Sequence, residues 1–171
     1  MIVNIFVYGS EATPIVNKCL SVLKQSPDIK LVKTPQEADV AIAPLLSKKL
    51  SLEEIQSPLY GTLVFHPSLL PRHRGRDAIK WAFRLEEAYT GATWFWADEG
   101  YDTGDICETE VLAIKPDESP REFYERAVIP SAIRMLSFIL QDLTSGHIRR
   151  RPQRNEHASY EPPIKWDLHA V

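Results

Sequence analysis

Apolar and polar positions along this 171-residue chain switch repeatedly between a period of two and a helical period. Residues 2 to 9, IVNIFVYG, form an apolar run closed by glycine and predict a first strand. Thr13-Pro14 supplies an N-cap with proline at the first helical position, and Ile15, Cys19, Val22 and Leu23 share one face of the helix that follows. QSPD closes that helix, a second strand is expected near IKLVK, and ADVAIAP at 38 to 44 reads as a third, buried strand. Ser51 and Glu54 make a capping box for a short helix ending near Pro58, and the next strand ends on His66. Asp77 is placed to cap a helix through Ile79, Trp81, Ala82 and Phe83; GATWFWA and DICETEVLAI predict two strands around the turn DEGYDTG. Ser119-Pro120-Arg121-Glu122 opens the longest helix, which runs to about Thr144, is bent or interrupted at Pro130 and stops at Gly146. Strands alternating with helices predict an α/β fold. It should be a three-layer, Rossmann-like open sheet, mostly parallel with an antiparallel C-terminal part.

Composition narrows the functional classes. A chain of this length with 44% hydrophobic residues can bury one core, so a single domain is expected over 1–147, followed by an extended tail over 148–171. The net charge of −3 gives no whole-molecule field toward nucleic acid or an anionic membrane. Cys19 and Cys107 are too few and too far apart for a disulfide framework or a zinc pattern, and both fall in apolar segments. The start has no basic leader and no run approaches 18 apolar residues, so a cytoplasmic location is expected.

Candidate chemistry gathers in GTLVFHPSLLPRHRG, residues 61 to 75, and in the loop DEGYDTGD. Ligands of open α/β sheets bind beyond the carboxyl ends of the strands. His66 stands at such an end, and Pro67 keeps it extended. Asp102, in a loop rich in carboxylates and glycine, is a plausible partner, and a histidine with a carboxylate on neighbouring strand ends can handle a proton. The competing readings are a satisfied structural histidine and a turn-capping aspartate. Arg72, His73 and Arg74 could grip a carboxylate or phosphate, or form a solvated basic turn. Trp94, Phe95 and Trp96 alternate across a strand as packing residues would.

HPSLLPRHRG together with WADEGYDTGDI resembles the folate-dependent formyltransferase superfamily, over roughly residues 38 to 155. That superfamily includes glycinamide ribonucleotide and methionyl-tRNA formyltransferases; the motifs are most similar to the hydrolase domain of 10-formyltetrahydrofolate dehydrogenase. The resemblance implies that His66 and Asp102 are catalytic. It also implies a folate site formed by Val64, Ser68 and the loop of Trp96, Ala97, Asp98, Glu99, Gly100 and Tyr101, whose backbone would cup the pteridine. The implied formyl donor is 10-formyltetrahydrofolate, with no metal, and the implied partners are this folate and a small acceptor, either an amine or water. Three departures stand out. Val64 occupies the position where most of the family has an asparagine facing the formyl oxygen, a trait shared with the dehydrogenase hydrolase domain. The N-terminal half is shortened. Arg76-Asp77 replaces small residues.

The alternative to turnover is a folate-binding or regulatory module of the same fold. A third possibility rests on the four arginines between 149 and 154, which could form a nucleic-acid patch, although an extended segment with solvated charges is the more frequent meaning of such a run. RNA binding is not expected, since the domain by which transfer RNA is gripped in the family is not represented, and no membrane contact is expected. His147, His157 and His169 lack metal-ligand spacing. Oligomeric state and the acceptor stay open.

Overall fold

The computed structural model describes residues 1–46 and 48–164. Four predicted strands become β1 (Val3–Val7), β2 (Ile29–Leu31), β3 (Val40–Ala43) and β4 (Thr62–His66), paired in parallel in the order β2-β1-β3-β4. β5 (Tyr89–Trp96) runs antiparallel to β4, and β6 (Ile106–Ala113) antiparallel to β5, giving one six-stranded mixed sheet. The strand order reverses between β1 and β3, which puts the crevice expected of such a sheet at their carboxyl ends, one strand from β4.

Helices form where the caps foretold them. α1 (Pro14–Gln25) starts behind Thr13 and buries Ile15, Val16, Cys19, Leu20 and Leu23. α2 (Leu52–Gln56) carries the Ser51/Glu54 capping box, and α4 (Pro120–Phe123) the Ser119/Glu122 box. Pro130 has no N–H to give the fourth residue before it, and the helix answers with a π turn at Tyr124–Val128 before continuing as α5 (Ile129–Thr144). Gly146, at φ +81°, lets the chain reverse while the His147 N–H caps the Asp142 carbonyl at 2.8 Å. By length and composition the run Pro120–Thr144 could cross a membrane. Its apolar stripe, Ile129, Ala132, Met135, Leu136 and Ile139, is instead spent on the core with α1.

α3 (Ala78–Arg84) departs from expectation at its start. Asp77 makes no side-chain cap; its Oδ2 accepts the backbone N–H of Ile164, and its Oδ1 lies 3.2 Å from Lys80 Nζ. A carboxylate that read as local capping is spent on a contact 87 residues away.

The two sheet faces differ. Leu63 and Phe65 of β4 and Trp94 and Trp96 of β5 join the large core under α1 and α5. On the opposite face Val64, Phe95, Ala43, Leu70 and Ile106 make a smaller cluster, touched by Tyr8, Leu46 and Ala97. Two-residue periodicity puts His66 on the Val64 side, where the described core is the smaller cluster.

Candidate active site

His66 is 6% exposed. Its Nε2 lies 2.7 Å from the carbonyl oxygen of His73, and a carbonyl only accepts, so Nε2 carries the hydrogen. The other ring nitrogen, Nδ1, faces Asp102 Oδ2 at 3.7 Å, an ion-pair separation too long for a hydrogen bond. The same Oδ2 accepts the Gly75 N–H at 2.7 Å, which fixes the carboxylate. The residue itself sits at φ +56°, in left-handed backbone, within a turn.

The two groups do not stand on neighbouring strand ends. β5 is antiparallel, Trp96 pairs with Leu63, and the loop after β5 therefore begins near the start of β4, about 13 Å from His66 at the usual strand rise. The loop folds back along the smaller cluster to bring Asp102 to the histidine. Several contacts hold it. Asp98 Oδ1 accepts the Gly100 N–H at 3.0 Å and the Thr103 hydroxyl at 2.6 Å, and Lys49 Nζ donates to the Glu99 carbonyl and lies 4.3 Å from the Tyr101 ring centre. A Cβ on Gly104 would fall 1.7 Å from the Trp96 carbonyl oxygen, so only glycine fits there.

The chain after α5 completes the assembly. Ile106 and Arg151 exchange two backbone hydrogen bonds at 2.8 and 2.9 Å. The Gln153 side-chain amide then donates to the carbonyls of Asp102 at 2.9 Å and Gly104 at 2.7 Å, while its oxygen accepts from the Arg74 guanidinium at 2.8 Å. One glutamine therefore ties the motif loop to the loop of Asp102. Further on, Ser159 bonds backbone to backbone with Pro71 and Arg74, and the Trp81 Nε1–H donates to Pro162 O at 2.9 Å. The backbone of the arginine run is thus docked, while Arg150, Arg151 and Arg154 stay exposed. Arg149 pairs with Glu108 and Asp142, which raises its pKa against the opposing effect of burial, and Arg150 stacks 4.1 Å over Trp96. His169 lies outside the described residues.

His73 is the largest surprise. Instead of joining an exposed basic turn it is 1% exposed, with Nδ1 2.9 Å from Glu161 and Nε2 3.0 Å from Glu87. Burial pushes the Glu87 carboxyl up, but hydrogen bonds and charge from Arg72 and His73 outweigh it and hold the group below its ordinary value. Arg72 and Arg74 are occupied within the protein, on Glu87 and on Gln153 and Asn155. The carboxylates that this turn grips are the protein's own, Glu87 and Glu161.

The other sequence-nominated residues divide by position. Val64 is buried opposite Phe95, two residues from His66 on the same face. Ser68 is fully buried and its hydroxyl donates to Arg72 O at 2.6 Å, so it closes the turn. The Trp96 side chain lies in the large core with Nε1 on Arg149 O, leaving only its backbone at the loop. Ala97, Asp98 and Glu99 line a groove of about 350 Å³ with Leu52, Ile55 and Arg150; Gly100 and Tyr101 are exposed beyond it. Both cysteine thiols are pushed up to about 12 by burial and offer no nucleophile. Gln153, Glu161 and the Gly75 N–H were missed from sequence; only Gly75, closing the HPSLLPRHRG motif, left a signal there.

A histidine and a carboxylate thus converge on one face of an open α/β sheet. The chain belongs to the formyl transferase family, whose model matches residues 17–137. It is similar to the cytosolic 10-formyltetrahydrofolate dehydrogenase of Mus musculus, 37% identical over 137 residues, which are 76% of this chain and 15% of that protein. It is also similar to the methionyl-tRNA formyltransferase of Caldanaerobacter subterraneus subsp. tengcongensis, 31% identical over 146 residues, covering 85% and 47% of the two chains. The chain therefore spans about 15% of the dehydrogenases it matches. Among solved structures, HypX from Aquifex aeolicus in complex with tetrahydrofolic acid superimposes with a TM-score of 0.80 at 21% identity, over 96% of this chain and 30% of that one. PseJ from Anoxybacillus kamchatkensis, a formyltransferase in complex with a formamido sugar nucleotide and tetrahydrofolate, gives 0.74 at 21% identity over 92% and 85%. Such likeness shows the shared fold.

Proposed function

We propose that this domain binds 10-formyltetrahydrofolate on the thin face of the sheet and transfers the formyl group to water, releasing formate and tetrahydrofolate. The observation that carries the reading is the gap between His66 Nδ1 and Asp102 Oδ2. A water beside these two atoms, about 2.8 Å from each, can donate one hydrogen to each and turn a lone pair toward a formyl carbon. Its oxygen adds to the carbon, its proton passes to the pair, and the N10–carbon bond then breaks as N10 takes a proton back. His66 carrying that proton donates from Nδ1 to the developing oxyanion, a task that neither Val64 nor the committed Ser68 hydroxyl can perform. The pteridine would lie against the loop backbone from Trp96 to Asp102; the groove beside Ala97 to Glu99, which neither His66 nor Asp102 lines, has the size of a small-molecule site and adjoins that loop. A small amine in place of water is the second reading, supported by the sugar-nucleotide formyltransferase among the structural neighbours. A module that binds folate without turnover is the third.

Incubating the protein with a 10-formyl reduced folate and measuring formate, with and without amines, separates the readings. Formate release that needs no amine is expected. Binding without turnover would leave the folate-binding module, and no binding at millimolar folate would overturn the site.

A further inference from the structure

Both polar contacts of the buried His73 ring are to carboxylates, which only accept, so each requires a hydrogen on the facing ring nitrogen. The charged groups around the ring are Glu87 from the α3–β5 connection, Glu161 from the tail, and Arg72, which pairs with Glu87. Two carboxylates against Arg72 alone leave an excess negative charge in a buried place; an imidazolium balances it. The same residue is tied at its backbone. Its N–H donates to Ser159 Oγ at 2.8 Å, and its carbonyl receives the His66 Nε2–H. Side chain and main chain of one residue thus join the tail to the histidine at the site.

We propose that His73 is a positioning residue. Held as an imidazolium between Glu87 and Glu161, it locks the tail onto the motif loop and fixes the carbonyl that orients His66. This rests on His66 being the reactive imidazole. Loss of the Glu161 contact frees the loop at φ +55°, the left-handed backbone of His73 that a side chain adopts only when its surroundings enforce it. The carbonyl then moves, His66 is no longer confined to the Nε2–H tautomer, and Nδ1 ceases to be the nitrogen reserved for the reaction.

The test is imidazole ¹⁵N NMR on the full chain without folate, paired with formate release. In the wild type at neutral pH, His73 should show both nitrogens protonated and slowly exchanging, and His66 the Nε2–H form. Glu161→Ala should remove the His73 Nδ1–H, mix the His66 tautomers and lower kcat about tenfold with KM within about twofold; Glu161→Gln, which keeps an acceptor, should restore both. A neutral His73 in the wild type overturns the proposal, and so does an unmoved His66 tautomer in Glu161→Ala. The wild-type spectrum needs no substitution, so it decides the matter even if Glu161→Ala fails to fold. A wild type that releases no formate yet shows both signatures supports the lock and sinks only the functional reading.

Discussion

The two motif histidines lie seven residues apart and are treated in opposite ways. His73 is saturated: both ring nitrogens, its N–H and its carbonyl all have partners within 3.0 Å. His66 is held by one nitrogen only, with the other left 3.7 Å from a carboxylate. A buried polar group short of a partner is costly, and folds usually remove such groups. On the proposed reading, the open Nδ1 is where a third molecule binds, and the saturated ring supplies the stiffness behind it.

The largest expected effect breaks the open side of this contrast. His66→Ala and Asp102→Asn should each lower formate release by about 10²–10⁴-fold, the usual worth of a positioned acid–base group. The double mutant should be little worse than either single, because the pair acts as a unit. A single mutant within about fivefold of wild type would dismiss the catalytic assignment.

Gly104→Ala attacks the loop that delivers Asp102. Its new Cβ meets a backbone carbonyl that cannot swing aside, and about 1–3 kcal/mol of stability should be lost, read from the denaturant midpoint. Val64→Asn places an amide beside His66. If the site is hydrolytic, amine formylation should not rise and stability should fall by about 1–3 kcal/mol for an amide without a partner. A tenfold or greater gain (about 1.4 kcal/mol in transition-state terms) would instead show a missing oxyanion donor. Gln153→Ala removes two hydrogen bonds to the Asp102 loop, and about 1 kcal/mol of stability, with a several-fold lower kcat, is expected.

The smallest effect is a control far from both histidines. Hydrogen bonding from Arg126 lowers the Glu118 carboxyl from 4.5 to about 2. Because the folded value is depressed, this contribution is fully present above pH 4.5 and is lost as pH falls toward 2. Glu118→Gln should flatten the stability curve in that window and leave formate release at neutral pH unchanged.

What the sequence revealed was local. Pro14, the Ser51/Glu54 and Ser119/Glu122 boxes and the break at Pro130 all act within one or two helical turns, and each was readable. A box of the same form at Thr34 and Glu37, capping a short 3₁₀ turn at Pro35–Glu37, was readable and overlooked. The motif placed His66 and Asp102 in one site, but the reversed direction of β5 hid the path by which Asp102 arrives. His73, Asp77 and Gln153 were misread or missed because their partners are distant in sequence and leave no periodic trace. A histidine between arginines looks the same from sequence whether it faces water or two carboxylates.

The tail's grip on both loops also bears on how the protein is born. Residues 66 to 75 leave the ribosome long before Glu161, which follows His73 by 88 residues. At about 5–20 residues per second that interval is on the order of ten seconds. During it the sheet strands can already pair, yet the tail partners of His73 and of the Asp102 loop have not been made. On the proposed reading, competence waits until Gln153 and Glu161 have been made and have settled on the two loops.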